Sequence, residues 1–262
     1  MALLTDGSPN TVETLKAIES SIADVAAIEL IDVDIKMGVA LEEISESLMV
    51  YLIQLGNQDP QCWTRRRIGV STIVVTPPLR RWHALQSIAL IYRDAYHNQL
   101  NERYLAKWKY FNAVAADARK TLLQTGLGLV NQAVPKAPAP VAGIALGQWT
   151  PGAYVVQIAW VGPLGQAGSP GDAVTVELST GSAPIVTAPV APSGIAGWNV
   201  YVGPIGSVPT LQNSVPLGLA APWVASGAGP AAGTPVGEGQ SPDRYIADSQ
   251  TFYRSGGDRW PR

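Results

Sequence analysis

The sequence predicts an α + β protein of two domains, and three observations lead to this prediction. In the first half of the chain, apolar residues recur every three or four positions, as they do along one face of a helix. From about residue 141, short β-branched runs alternate with Gly and Pro, which is typical of strands and turns. Charge also changes sharply along the chain, as expected for modules with different neighbours.

These changes place the predicted boundaries. Residues 1–133 are predicted to form a helical domain with one long helix, and the segment "VPKAPAP" (134–140) a stiff Pro/Ala linker. Residues 141–240 are predicted to form a small antiparallel β-sandwich, and residues 241–262 an extended docking tail. The sandwich strands are expected at "YVVQIAWVG", "DAVTVELST" and "GWNVYVG".

Two helices are predicted before the long one. The first runs to about Ile28 and begins at Asn10, which forms a variant capping box with Glu13. The second runs from about Asp34 to Leu55 and is ended by Gly56. The segment "RRIGVSTIVVT" is β-branched and is expected to be extended or one arm of a hairpin.

The long helix begins at "TPPLRRW", since proline suits a first helical turn, and runs from Leu79 to about Gln124. At 1.5 Å per residue it would be roughly 65–70 Å long, so it either breaks near "YHNQLN" or stands as a rod beside copies of itself. Gly126 and Gly128 are expected to end it. Its apolar stripe includes Trp82, Leu85, Ala89, Tyr92, Tyr96, Leu100, Tyr104, Trp108, Phe111, Ala115, Ala118 and Leu122. We interpret this stripe as a surface that other copies of the chain cover.

Charge is separated into blocks. Residues 1–64 hold eleven acids and two bases, a net charge of −9, whereas residues 65–136 hold three acids and twelve bases, a net of +9. Residues 137–240 contain no Lys or Arg. The two blocks could pair within one subunit or between successive subunits of a ring, because ring contacts join two different faces of each copy.

Nothing in the sequence forms a catalytic or cofactor site, so we expect no enzyme and no cofactor. His83 and His97 would be about 21 Å apart on a continuous helix, too far to share a metal ion. Cys62 is the single cysteine and has no context that favours a nucleophile. The sequence shows neither a signal peptide nor an apolar run long enough for a membrane span, so we expect synthesis and assembly in the cytosol.

Cations lie beside aromatic residues in the basic block, and three interpretations stay open. The rings could pack in a core or a subunit contact, with the cations turned toward acidic neighbours. The cations could line a channel that passes DNA, or the mixture could bind nucleic acid sequence-specifically. The cations concerned are Arg65, Arg66, Arg67, Arg80, Arg81, Lys107 and Lys109.

The segment from residue 73 to residue 140 resembles the head–tail connector (adaptor, or head-completion) proteins of tailed bacteriophages. The resemblance lies in the spaced VTP, L, W and H of residues 75–83, in "YRDAY" (92–96), in "LNERY" (100–104), in "KW" (107–108) and in "GLGLV" leading to "VPKAPAP". It covers about 65 residues well and residues 10–140 more loosely. In addition, "GIAGWNVYVGPIG" (194–206) resembles the fibronectin type III or immunoglobulin-like modules of phage structural proteins.

The resemblance implies a non-enzymatic structural protein of the virion neck, assembled in the host cytoplasm. It would form a ring, commonly of twelve copies, that joins the portal protein to tail or tail-terminator proteins at the head–tail junction. Genomic DNA would pass through its channel without sequence recognition, and no membrane would be involved. The expected subunit or portal contacts are Trp82, Tyr96, Tyr104, Trp108, Tyr245, Phe252, Tyr253, Arg254 and Trp260.

Two other functional classes are considered. A carbohydrate- or surface-binding sandwich could stack sugars on Trp160, Trp198 and Trp223, although such tryptophans are more often buried. A nuclease or peptidoglycan hydrolase would need metal-ligand spacings that the sequence lacks.

Overall fold

The structure, a computed structural model, describes residues 1–58, 69–247 and 251–253, with only the backbone of 56–58 and 251–253. The described chain contains five α-helices and antiparallel sheets, which confirms the α + β class. It divides into two compact units. The helical unit comprises Gly7–Asn131 and the described chain from Pro242 onward, and the β unit comprises Met1–Asp6 and Gln132–Ser241.

Five helices build the helical unit. They are α1 (Val12–Ile18), α2 (Ile22–Ile28), α3 (Val33–Gln58), α4 (Pro77–Gln99) and α5 (Glu102–Thr125). The predicted first helix is therefore two helices, and its cap is Thr11, whose hydroxyl accepts a hydrogen bond from the Thr14 amide. The predicted cap, Asn10, is instead buried.

The second helix is longer than predicted, because α3 continues through Gly56 to Gln58. A glycine inside a helix costs only about 1 kcal/mol relative to alanine, which neighbouring turns can offset. The segment around residue 70 also differs in part from the prediction. Its first residues, 66–68, lie outside the described residues, and Val70–Thr72 form a short 3-10 turn. Ile73 then bridges Leu129, and the Val74 amide donates to the Gly128 carbonyl at 3.0 Å, so this part is extended as predicted.

The predicted long helix is an antiparallel hairpin of α4 and α5. Leu100 adopts the left-handed conformation, with φ of 51°, and ends α4, while the Asn101 side chain accepts a hydrogen bond from the Arg103 amide at 3.0 Å. The break near "YHNQLN" is therefore correct, and the continuous rod is wrong. The predicted start at the prolines is confirmed, as is the end at Gly126, which has φ of 107°.

Most of the aromatic stripe is buried within this one chain. Trp82, Tyr92, Tyr104 and Phe111 retain 4%, 2%, 7% and 4% of their exposure. Tyr92 stacks on Phe111 across the hairpin, with ring centroids 5.7 Å apart and planes within 5°. The interpretation that other copies cover these four rings is therefore wrong, because the helix folds back and covers them itself.

Ten strands are described in chain order. They are β1 (Leu127–Leu129), β2 (Val141–Leu146), β3 (Gly152–Val161), β4 (Val174–Leu178), β5 (Ser182–Thr187), β6 (Gly197–Pro204), β7 (Thr210–Leu211), β8 (Trp223–Val224), β9 (Arg244–Ile246) and β10 (Thr251–Tyr253). All the described ladders are antiparallel.

The first part of the tail belongs to the helical unit of its own chain. β9 is the central strand of a sheet ordered β1-β9-β10, with Tyr245 opposite Gly128. The Arg244 guanidinium donates to Oδ1 of Asn131 at 3.0 Å. Residues 244–246 are extended, as predicted for the tail, but they pair with their own chain and not with a neighbouring subunit.

The β unit holds two sheets, ordered β2-β5-β8 and β4-β3-β6-β7, and the three strands predicted from the sequence are confirmed. One buried apolar cluster includes residues of both sheets, among them Val186 of β5, Trp160 of β3 and Trp198 of β6.

The segment predicted as a linker is packed into the β unit. Val134 and Ala137 are each 1% exposed and belong to its core cluster. The Lys136 amide donates to Oδ1 of Asp6 at 2.8 Å, so the first residues of the chain also belong here. A Cβ on Gly171 would overlap the carbonyl oxygen of Pro138, which shows how closely this segment approaches the β3–β4 connection.

Candidate protein-binding surface of the helical unit

The segment "RYLAKWKY" (103–110) divides into a buried and an exposed side of α5. Tyr104 is buried, Trp108 is half-buried, and Tyr110 is 60% exposed. The Arg103 guanidinium lies 5.5 Å from the centre of the Tyr104 ring, within cation–π range. Tyr104 and Arg103 therefore make their contacts within their own subunit.

Lys107 joins the basic block to the acidic one. Its Nζ lies 2.7 Å from Oε2 of Glu19, and the Ser21 hydroxyl donates to Oε1 of the same carboxylate at 2.7 Å. Partial burial raises the pKa of Glu19, but the hydrogen bonds from Lys107 and Ser21 outweigh it, and the pKa lies below its ordinary value. The hydrogen bond to Glu19 also raises the pKa of Lys107. This ion pair therefore joins a residue of the basic block to a residue of the acidic block within one subunit.

A histidine ties three segments of the helical unit together. Nδ2 of Asn10 donates to Nδ1 of His83 at 2.9 Å and to the Arg80 carbonyl at 2.8 Å. Nε2 of His83 donates to the Met37 carbonyl at 3.0 Å, so the ring is neutral. Burial lowers the pKa of His83, although the bond to Met37 opposes this. His83 is thus a structural residue of the core.

Three rings line the half-exposed face near the hairpin turn. The Trp108 ring stacks on Tyr96 at 6.1 Å between centroids, and His97 lies 5.9 Å from Trp108. Tyr96 and Trp108 are half-buried and His97 is exposed. These rings are partly available for a partner, unlike Trp82 and Tyr104.

Two leucines have an unusual backbone at the same end of the helical unit. Leu30 and Leu100 have φ of 55° and 51°, and they are the described non-glycine residues with positive φ. Their side chains are 92% and 71% exposed. A leucine in the left-handed conformation costs about 1–2 kcal/mol relative to the right-handed one.

One hydrogen bond joins the two turns that carry these leucines. Nδ2 of Asn98, near the end of α4, donates to the Glu29 carbonyl at 3.2 Å, next to Leu30. Ile28 at the end of α2 and Ile35 in the first turn of α3 are 69% and 61% exposed. We call Ile28, Leu30, Ile35 and Leu100 the tip patch.

The tip patch combines two left-handed helix ends occupied by leucine instead of the usual glycine with four exposed apolar side chains. Backbone strain is retained at Leu30 and Leu100, and four large apolar side chains face water. Strained residues concentrate at functional sites, and exposed apolar groups mark interaction surfaces. Both features indicate a surface that another polypeptide covers.

Exposed acidic residues occur in the same α2–α3 region of the chain as three residues of the tip patch. Asp24, Asp32 and Asp34 are exposed, and we call them the acidic rim. On the hairpin side, the opposite charges of Glu102 and Arg103 balance each other. This end of the helical unit therefore exposes both apolar and acidic side chains.

A groove lies between the start of α4 and the later turns of α5. Its volume is about 430 Å³, and its lining residues are Pro77, Pro78, Arg81, Val114, Asp117, Ala118 and Thr121. The floor is mostly apolar. Its charged lining residues, Arg81 and Asp117, are both exposed and have opposite charges.

The predicted cations fall into different environments. Arg80 is half-buried, Arg81 is exposed at the groove, and Lys109 is exposed on α5. Lys107 pairs with Glu19. Arg65, Arg66 and Arg67 lie outside the described residues, as does Cys62.

The predicted contact residues do not form one surface. Trp82 and Tyr104 lie in the core, whereas Tyr96 and Trp108 share the half-exposed face. Tyr245 is half-buried in β9. Phe252 and Tyr253 belong to β10, of which only the backbone is described, and Arg254 and Trp260 lie outside the described residues.

The tryptophans proposed as a sugar platform are mostly inaccessible. Trp160 and Trp198 are 1% and 0% exposed, and Nε1 of Trp198 donates to the Gly218 carbonyl. Trp223 is half-buried and packs edge-on against Trp149 at 6.3 Å. The buried interpretation is therefore confirmed for Trp160 and Trp198.

Among residues 1–58, 69–247 and 251–253, no three His, Cys, Asp or Glu side chains lie where they could share a metal ion. Within those ranges no helix has both the length and the apolar character required to cross a membrane.

The sequence prediction missed the tip patch. Leu30 and Leu100 were not distinguishable from core leucines, since positive φ is normally signalled by Gly or Asn. The available signal was Asn101, a good cap residue directly after Leu100.

No protein-family model matches this chain, and a search of curated proteins also finds no match.

Proposed function

We propose that this protein is a non-enzymatic structural subunit whose helical unit binds other proteins through the tip patch. The observation that carries this function is the pair of strained, exposed leucines, Leu30 and Leu100, at one end of that unit. A subunit that worked alone would gain stability from glycine at these positions.

We further propose that the assembly is the neck of a tailed-phage virion. The resemblance of residues 73–140 to head–tail connectors supports this, and so does the division of the sequence into an acidic block and a basic block. In this function the subunits form a ring under the portal protein, contact tail or tail-terminator proteins, and surround the channel for genomic DNA. The buried aromatic stripe does not contribute, because its own chain covers it.

The β unit would be an accessory module of the same particle. Its two antiparallel sheets and common core are compatible with an immunoglobulin- or fibronectin III-like sandwich, which we propose as its fold. Residues 137–240 carry no Lys or Arg, so this module would face protein rather than nucleic acid.

Capture by an assembled portal tests the neck assignment. The purified protein is mixed with portal rings of a tailed phage that encodes it, and the complexes are imaged by electron microscopy. We expect a ring of this protein below the portal, and its loss in Leu30→Asp/Leu100→Asp. A Leu164→Asp variant changes an exposed leucine of the β unit and is the matched control. Failure of the unmodified protein to bind the portal would contradict the neck assignment.

A further inference from the structure

We propose that the outward face of α3 binds a basic amphipathic helix of a different protein. Six residues form this face, which we call the α3 stripe: Ile35, Val39, Glu42, Glu46, Met49 and Ile53. Alternating steps of four and three residues keep side chains on one side of a helix, in the pattern by which two helices pack along each other. The stripe extends along α3 for about 27 Å at 1.5 Å per residue.

The α3 stripe faces away from the core of its own unit. Ile44 and Leu48 lie on the opposite side of the helix and are 0% and 1% exposed. On the stripe, by contrast, Ile35, Met49 and Ile53 are 61%, 45% and 45% exposed. Large apolar side chains that share one exposed face mark a surface that another polypeptide covers.

Two carboxylates lie between the apolar residues of the stripe. Glu42 and Glu46 are exposed, and in the part of the chain that the structure describes, the ion pairs include neither of them. Lys36 of α3 is already paired with a carboxylate of α4. Arg119 of α5 borders the stripe, where its Nε donates to Oγ of Ser47 at 3.1 Å. The centre of the stripe is therefore negatively charged.

A second copy of this chain does not fit the α3 stripe. In a parallel pairing each glutamate meets its own counterpart, and in an antiparallel pairing Glu42 meets Glu46, so like charges face each other. A shift of the parallel register by one heptad sets Glu42 against Met49, and the carboxylate is then buried without a partner. The two glutamates thus select against self-association through this face.

The same carboxylates specify the charge of the partner. A helix with two Lys or Arg side chains, four residues apart and flanked by apolar residues, would pair its cations with Glu42 and Glu46. Its apolar residues would cover the two ends of the stripe, and the aliphatic stems of the cations would add to the covered area. Opposite charges at the centre would fix the register and exclude acidic helices.

The α3 stripe is a second surface beyond the one in the proposed function, and its chemistry defines the kind of partner. It shares Ile35 with the tip patch, whereas Leu30 and Leu100 lie outside it. Binding at the stripe therefore requires neither the strained leucines nor a portal.

Two synthetic peptides test the contact. Both are helices of three heptads with Leu at positions a and d, except for two central residues four positions apart, which are Lys in the basic peptide and Glu in the acidic peptide. Fluorescence anisotropy of the labelled peptides measures their binding to the full chain. The charge-swap variant is Glu42→Lys/Glu46→Lys. Glu13→Lys/Asp24→Lys makes the same change of charge at exposed residues of α1 and α2 and is the control, with circular dichroism as the check on folding.

We expect the basic peptide to bind the unmodified chain at least about tenfold more tightly than the acidic peptide. The charge-swap variant should reverse this preference, and the control variant should retain it. Met49→Ser/Ile53→Ser should weaken binding of the basic peptide, because one apolar end of the stripe is lost. Leu30→Asp/Leu100→Asp should leave binding unchanged, because these leucines lie outside the stripe.

Several results would overturn the proposal. They are equal binding of the two peptides, no binding of either peptide, and a control variant that reverses the preference as the charge-swap variant does. If the unmodified chain associated with itself and the charge-swap variant did not, the occupant would be a second copy, and the proposal would also fall. Peptide binding by a chain that no portal captures would leave the α3 stripe in place and remove the neck assignment. Portal capture of a chain that binds neither peptide would do the reverse.

Discussion

Asn10 and His83 are buried together in the helical unit, where Nδ2 of the asparagine donates to Nδ1 of the histidine at 2.9 Å. A proton added to Nδ1 would face that donor without an acceptor. The folded state therefore disfavours the imidazolium, in agreement with the lowered pKa of His83.

This relationship predicts a specific pH dependence of stability. Because the folded pKa lies below the ordinary value of 6.5, the unfolded chain binds the proton more tightly. The free energy of unfolding should fall as the pH drops below about 6.5, by no more than about 1.4 kcal/mol per pH unit, and level off below the folded pKa. Urea unfolding between about pH 5 and 8 measures this. His83→Gln should lose the dependence and His97→Gln should keep it, since His97 is exposed. A flat profile for the unmodified chain would contradict the prediction.

The Glu19–Lys107 pair should make a modest contribution to stability. The Lys107 side chain is 47% exposed, so solvent screens the pair, and a double-mutant cycle with Glu19→Gln and Lys107→Gln should give a coupling of about 0.5 kcal/mol. Lys109→Gln is the control, because Lys109 is exposed on the same helix. Equal coupling of Glu19 to Lys107 and to Lys109 would show that the contact carries no specific energy.

Glycine at the strained leucines should stabilise the subunit. Leu30→Gly and Leu100→Gly relieve the left-handed strain, but they also make the unfolded chain more flexible, so the net gain should be about 0.5 kcal/mol for each. Thermal unfolding of the single variants measures this. Leu164→Gly, at an exposed residue without positive φ, should give no gain. A loss of stability at both positions would contradict the interpretation of strain.

Close packing of the 134–138 segment predicts that Gly171 does not tolerate a side chain. A Cβ there would overlap the Pro138 carbonyl oxygen and lie 2.9 Å from that of Ala137. Gly171→Ala should therefore lower the stability of the β unit by about 1–3 kcal/mol. Gly218→Ala is the control, since a Cβ at that position meets nothing within 4 Å. A free, unpacked linker would make the two variants equivalent.

Removal of β9 should destabilise the helical unit. A chain that ends at Ser241 loses the strand that pairs with Leu127–Leu129 and the hydrogen bond from Arg244 to Asn131. We expect lower helical content and a lower melting temperature by circular dichroism. A chain that ends at Tyr253 retains β9 and β10 and is the control. Identical melting of both truncations would show that β9 is dispensable.

Local sequence signals predicted the elements that local chemistry determines. Thr76 and Pro77 mark the start of α4, Gly126 marks the end of α5, and the β-branched run of β3 identifies its strand. The hairpin was only one of two alternatives, because Leu100 lacks the Gly or Pro that usually marks a break.

The rest of the fold depends on contacts that are distant in sequence. Asn10 meets His83 across 73 residues, and β9 pairs with β1 more than 110 residues away. From the local sequence, Asn10 was interpreted as a helix cap and the aromatic C-terminal segment as a docking tail. The structure shows instead that Asn10 contacts His83 and that β9 pairs with β1. The tip patch was missed for the same reason, since exposure of Leu30 follows from how α2 and α3 are joined.

Each unit is assembled from two separate stretches of the polypeptide, and this has a consequence for synthesis. A ribosome releases residues 1–6 long before residues 132–241, and β1 can pair with β9 only after Ile246 emerges. The nascent helices must therefore persist with an open strand edge while more than a hundred further residues are translated. Recombination at one junction near residue 131 would likewise separate the β unit from residues 1–6 and the helical unit from the residues after 241.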